Sequence, residues 1–352
     1  MYGIEKIVNN KNVVCQLLLG DVGMIRKYLQ FFLLAICFIP FSILAYPLTL
    51  LPGGETIGIG IQTKGIIVAG IYDINGVYPA TEAGMKPGDI IIAANEKNIT
   101  TIDELVSLIN GELNGERSTT LHLTYLRNGK KYDTTLNLEN SNGVIKTGLY
   151  VKDSITGIGT LSFIDPTTKK FGALGHEITE KNTGMLLEIK DGTIFSSNVT
   201  KIDRSSNGVP GSKNALFYSD DIKGTVNKNT HSGIFGVYTE ELPDKKAYKV
   251  ANVEDITLGE AKMLTVIEDQ NIEEYNIEIL KLNKKDDNKN ILFEIVDDDL
   301  LAKTGGVVQG MSGSTIIQGD YIIGAVNYVV VDNPKRGYGI FITNMLKEME
   351  GN

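Results

Sequence analysis

Two hydrophobic patterns divide this chain. Near the N-terminus apolar residues come unbroken, and Phe31 to Leu51 reads FFLLAICFIPFSILAYPLTLL, 21 residues without a charge. A run of about 20 apolar residues is long enough to span a bilayer as a helix. Arg26 and Lys27 on its N-terminal flank bias that end toward the cytoplasm. The pattern predicts a cytoplasmic tail and a signal or membrane anchor over residues 1–51, with the bulk of the chain outside. A cleaved signal peptide competes with a retained anchor: Ser42 and Ala45 weakly resemble a cleavage site, whereas the length of the run favours retention. Pro40 and Pro47 can kink such a helix, and Met24, just before Ile25-Arg26-Lys27, reads as a natural start.

After Leu51 the period changes to two. Leu51 to Ile71 alternates β-branched residues with glycine and predicts two strands joined by a tight turn. Ile90 to Ala94 is a buried strand. Residues 103–109 place Leu105, Leu108 and Ile109 on one helical face, with Thr101 or Asp103 as its cap. Residues 121–127 and 131–138 flank Asn128-Gly129 and predict a hairpin. Glu139 to Lys146 is polar and reads as a linker. Short strands then follow at 157–164, 170–178, 274–282, 291–296 and 321–331, with a charged hairpin tip at 284–290 and a closing helix at 343–350. Many short strands and little helix argue for barrels or sandwiches.

The length of 352 residues fits about two domains of roughly 150 residues each. A net charge of −9 without a basic stripe argues against a nucleic-acid partner. The two cysteines, Cys15 and Cys37, both precede residue 38, which leaves the main body without a disulfide framework, a cysteine nucleophile or a cysteine-ligated zinc. His122, His176 and His231 show no metal-ligand spacing. Neither a metal nor a cofactor is expected.

Ala80 to Ile91 reads A-x-x-A-G-M-K-x-G-D-x-I. It resembles the core of the PDZ domains of secreted bacterial proteases, which implies a PDZ domain over 52–138. In such domains a loop before the second strand presents backbone N–H groups to a peptide carboxylate, and the peptide adds to the sheet edge. Thr56-Ile57-Gly58-Ile59 fits that loop, so Ile57, Gly58 and Ile59 are the expected peptide-binding residues.

Gly310-Met311-Ser312-Gly313-Ser314 precedes an apolar strand, a turn at Gly319-Asp320 and a second strand. That order resembles the nucleophile region of chymotrypsin-like serine peptidases. A serine hydroxyl needs a base beside it, and the tetrahedral intermediate needs N–H donors. Ser312 is the candidate nucleophile, and the N–H groups of Gly310 and Ser312 are the candidate oxyanion hole. His176, in Gly172-Ala173-Leu174-Gly175-His176-Glu177, precedes the serine as the base does in two-barrel peptidases. His231 is its competitor.

The anchor, the PDZ motif, GALGHEI and TGGVVQGMSGS together resemble the stage IV sporulation protein B peptidases of endospore-forming bacteria, over roughly residues 24–346. The resemblance implies a mainly β chain whose 147–346 segment is a chymotrypsin-like double β-barrel, with His176, Ser312 and Asp297 catalytic. Spacing alone does not select Asp297 from the other aspartates. Thr315 stands where the family usually has proline. The resemblance further implies a sporulation endopeptidase that cleaves itself and then a regulator of a membrane-embedded sigma-factor-processing protease. Its place would be the space between forespore and mother-cell membranes. Two alternatives stand beside it: a tethered PDZ module with an inactive peptidase domain, and an envelope quality-control protease, in which the PDZ usually follows the peptidase.

Overall fold

The computed structural model describes residues 49–113, 118–141, 144–181 and 184–351. The first strands are β1 (Thr49–Pro52), β2 (Thr56–Ile71), β3 (Ile90–Ala94), β4 (Lys97–Asn98), β5 (Ser118–Arg127), β6 (Lys130–Ser141) and β7 (Val144–Lys146). Then come β8 (Leu149–Ile164), β9 (Lys170–Ala173), β10 (Ile189–Asp203), β11 (Gly211–Thr230), β12 (Gly233–Tyr238) and β13 (Tyr248–Val250). The last are β14 (Gly259–Val266), β15 (Ile272–Leu282), β16 (Ile291–Ile295), β17 (Val308–Gln309), β18 (Thr315–Gln318), β19 (Tyr321–Val329) and β20 (Arg336–Phe341). Helices are few: α1 (Pro79–Glu82), α2 (Ile102–Leu113), α3 (Asp298–Thr304) and α4 (Ile342–Glu350).

The pairings close two antiparallel rings. In the first, β8 pairs with β9, β9 with β12, β12 with β11, β11 with β10, β10 with β2, and β2 with β8 again. In the second, β14, β15, β16, β20, β19 and β18 follow one another back to β14. Closure removes the exposed edges that short, glycine-rich strands would otherwise present. The rings are fused through β1, which pairs with β8 on one side and β13 on the other, and through β17 lying parallel to β11. Their shared core carries Phe163 and Phe235 from the first ring, Leu264 and Ile322 from the second ring, and Met345 and Leu346 from α4.

The PDZ-type unit is β3, β5 and β6 with the second half of β2, covered by α2. Ile66, Val68, Ile91, Leu105, Leu123 and Leu136 are among its buried residues. Asn128 and Gly129 both have positive φ, the backbone of a tight type I′ hairpin turn. Thr101 caps α2: its Oγ1 accepts the Glu104 N–H at 3.3 Å, while the Glu104 carboxylate accepts the Thr101 N–H at 3.0 Å. In the motif Lys86-Pro87-Gly88-Asp89, the aspartate is a structural clamp. It is 1% exposed, receives Arg127 at 2.6 and 2.7 Å, and accepts the Lys86 N–H at 2.8 Å.

Four expectations change. The strand hairpin expected over Leu51–Ile71 is instead one 16-residue strand, β2, because long partners from distant sequence cover both of its edges. Its first half belongs to the first ring and its second half to the PDZ-type unit. The chain returns alongside it as β8, so the PDZ-type elements are inserted between two neighbouring barrel strands. Thr49–Leu51, expected to end the anchor, lie in β1, the strand that joins the two rings, with Leu50 fully buried. The rest of the apolar run, with Cys15 and Cys37, lies outside the described residues. No helix among the described residues is long and apolar enough to cross a membrane. The expected linker at 139–146 is largely a strand pair, β6 with β7. Finally, the charged tip at 284–290 does join two hairpin strands, but Asn290 at its end is buried. The Asn290 side chain accepts the Phe341 N–H and donates to the carbonyls of Asn283 and Asp286.

Candidate active site

His176 follows β9 of the first ring, and Ser312 sits between β17 and β18, the latter a strand of the second ring. Both line one cavity of about 460 Å³. The chain reaches His176 through a sharp reversal in which Leu174 and Gly175 both adopt positive φ. Positive φ is strained for leucine and is tolerated here because Leu174 is buried among first-ring residues.

The loop from Gly310 to Ser314 is pinned from the first ring. Thr160 on β8 donates its hydroxyl to the Gly310 carbonyl at 2.7 Å and its N–H to the Ser312 carbonyl at 2.9 Å. Gly313 has φ +97, and a Cβ there would lie 1.9 Å from the Thr160 carbonyl oxygen. Only glycine fits. Gly310 has φ +96, which turns the chain ahead of the serine. The N–H of Ser312 has no acceptor among the described residues. The Ser312 hydroxyl donates to the Asn327 carbonyl at 3.1 Å.

The His176 Nδ1 lies 2.8 Å from the Glu177 carbonyl. A carbonyl only accepts, so the ring proton sits on Nδ1 and Nε2 carries the basic lone pair. The ring stacks on Tyr328 with centroids 5.4 Å apart. Burial pushes its pKa below the usual imidazole value of 6.5, only partly offset by the hydrogen bond to Glu177 and the nearby carboxylate. His176 is therefore held as a neutral base. Tyr328 is in turn covered by Lys289, whose ammonium lies 5.5 Å from the ring centroid.

Two assignments are corrected. Asp297 does not reach His176. It is the N-cap of α3, its carboxylate accepting the N–H groups of Leu300 at 3.1 Å and Asn276 at 3.2 Å. The carboxylate whose charge acts on His176 is that of Glu177, which also lies 3.4 Å from His231 Nδ1. Ile57, Gly58 and Ile59 do not form a carboxylate loop. They lie at the start of β2, paired to Ser196–Ile194 of β10 on one edge and Gly159–Gly157 of β8 on the other. Gly58 is required because a Cβ would meet the Phe195 ring at 2.0 Å. Ile59 does line a peptide-sized space, but it is the cavity of Ser312 and His176. In the PDZ-type unit the edge of residues 67–71 is covered by residues 149–152 of β8.

Sequence reasoning missed Asn327 and Tyr328, which line the cavity and stand in no recognisable motif. No group of three or more histidine, cysteine, aspartate or glutamate side chains among the described residues could hold a metal.

A serine and a neutral histidine brought into one cleft from two fused β-barrels, with a PDZ domain beside them, define a two-barrel serine endopeptidase. A family model described as SpoIVB peptidase S55 matches residues 143–346, and a PDZ domain model matches residues 56–138. The chain belongs to the SpoIVB peptidase S55 family. No curated protein matches. Among solved structures it is similar to the active form of the Rv3671c protease of M. tuberculosis, at 15% identity and TM-score 0.31, over 56% of this chain and 74% of that one. It is also similar to an inactive form of that protease, at 17% identity and TM-score 0.29, over 55% and 85% of the two chains.

Proposed function

We propose that Ser312 is the nucleophile and His176 the general base of this endopeptidase. The observation that carries the assignment is their convergence on one cavity from opposite barrels, with His176 held in the tautomer that frees Nε2. On substrate binding the Ser312 hydroxyl leaves the Asn327 carbonyl and gives its proton to His176 Nε2 as Oγ attacks the scissile carbonyl. The N–H groups of Gly310 and Ser312 receive the developing oxyanion. His176 then returns the proton to the leaving amine, and water repeats the sequence on the acyl-enzyme. Ile59, Ile61, Ile155, Ile158 and Val307 form much of the cavity wall, so the residue beside the scissile bond is apolar. Glu177 Oε2 and Asn327 Oδ1 are buried acceptors without a donor among the described residues.

In the cell, we propose a membrane-tethered enzyme of sporulation that cleaves itself and a regulator of a sigma-factor-processing protease. The apolar run after Arg26 and Lys27 and the family membership support this reading. A serine-reactive phosphonate tests the catalytic assignment. It should label the wild type and Ser314→Ala but not Ser312→Ala; labelling that survives in Ser312→Ala would overturn it.

A further inference from the structure

Directly beneath the nucleophile loop lies a lysine that the proposed mechanism does not use. Lys213 on β11 is 3% exposed, and its stem packs on Gly310. Its Nζ lies within donating distance of two hydroxyls, Thr56 Oγ1 at 3.0 Å and Thr265 Oγ1 at 3.0 Å. Thr265, itself fully buried, accepts the hydroxyl of Ser314 at 2.9 Å. A chain of three polar groups thus runs from the second serine of the motif down to a buried nitrogen.

No carboxylate joins this chain among the described residues. The facing groups are Thr56 on β2, Thr265 on β14, the paired Ile202 on β10 and the loop at Gly310. The nearest acids in sequence are engaged elsewhere, Glu55 with Lys245 and Asp203 with Lys201 and Asn214. His176 is the other titratable base of the site. An ammonium has three donors and no acceptor, whereas a neutral amine keeps one lone pair. Thr265 accepts from Ser314, so its own proton needs a partner, and an amine supplies one where an ammonium cannot. Burial without a counter-ion also penalises the charged form, which lowers the Lys213 pKa to about 7.

We infer that Lys213 is a positioning residue of the nucleophile loop, acting as a neutral amine that receives the Ser314–Thr265 hydroxyl chain. Protonation removes the acceptor, reverses the chain and places an unpaired charge under Gly310. The loop that carries Ser312 then loses its shape. The second serine of Gly-Met-Ser-Gly-Ser thereby has a task distinct from nucleophilic attack: it couples the loop to the amine.

The inference rests on Ser312 as nucleophile, and phosphonate labelling of the full chain from pH 5 to 9 separates the two. The wild-type labelling rate should fall on the acid side around pH 7, with about a tenfold loss one pH unit below that midpoint. Lys213→Met should lower the maximal rate, and what remains should keep its activity down to the His176 ionisation below 6.5. Lys213→Arg, which cannot deprotonate, should stay at the low-pH level throughout. Thr265→Val removes one of the two hydroxyls that the ammonium could donate to and should also move the acid limb down, which keeps the test open if Lys213→Met does not fold. An acid limb that stays at pH 7 in the folded variants would overturn the role of Lys213 while leaving Ser312 intact. Labelling of Ser312→Ala would instead overturn the nucleophile.

Discussion

Replacing Gly58 with valine distinguishes a barrel strand from a peptide-binding loop. Gly58 has ordinary extended backbone, so the substitution strains nothing by its φ; the obstacle is space. A Cβ at 58 would lie 2.0 Å from Cε2 and 2.5 Å from Cδ2 of Phe195. Phe195 has little room to yield, being buried and held edge-on against Phe217 with ring centroids 5.8 Å apart. Both backbone edges of Gly58 are also committed, to β10 and β8. Overpacking of this kind costs about 1–3 kcal/mol, and a strand fixed on both edges puts Gly58→Val at the upper end. Phe195→Ala alone should cost about 3–5 kcal/mol, as loss of a buried ring does. The double variant is decisive, because valine then occupies space the ring has vacated. Its cost should fall below the sum of the two single costs by about 1–3 kcal/mol, the coupling expected of residues in contact. Urea unfolding of the four proteins followed by circular dichroism gives each term. Additive costs, or a Gly58→Val protein of unchanged stability that no longer binds peptide, would refute the strand assignment and restore the loop.

Two further outcomes follow from the site. Asp297→Ala should lose about 1 kcal/mol of stability in chemical denaturation, the worth of an N-cap. Asp297→Asn, which still caps, should keep both stability and turnover within a few-fold of wild type, and a fall of about 10⁴-fold would return it to the triad. His176 has a lowered pKa, so the unfolded chain binds more protons than the folded one between that value and 6.5. Its contribution to stability is complete above pH 6.5 and is lost as pH falls through the folded pKa. An NMR titration of the His176 imidazole should therefore show its midpoint below 6.5.

Much of this protein was legible along the chain because its signals are local. An unbroken apolar run marked β3, short strand-like runs marked β15 and β16, Asn128-Gly129 marked the hairpin turn, and Thr101 was one of two candidate caps for α2, with Asp103. Ser312 and His176 stand in glycine-rich contexts because their loops need positive φ and close backbone approach, and glycine supplies both. The anchor signal is likewise local, but where it stops is not. Leu50 is as apolar as its predecessors, and its inclusion in β1 depends on β8 and β13, about 100 and 200 residues away.

Tertiary structure decided what local chemistry leaves degenerate. Thr56–Ile61 can serve as a PDZ loop or a barrel strand with the same alternation, and the partners β8 and β10 choose the strand. Asp297 before a short helix suits a cap and a catalytic acid equally, and distance to His176 is not written in spacing. Lys213 reads as an ordinary surface lysine in a polar stretch. Only closure of the first barrel against the second removes it from water and sets its nitrogen between two threonines under the nucleophile loop. Burial is a property of the whole packed chain, and burial is what turns that lysine from a solvated charge into a neutral amine.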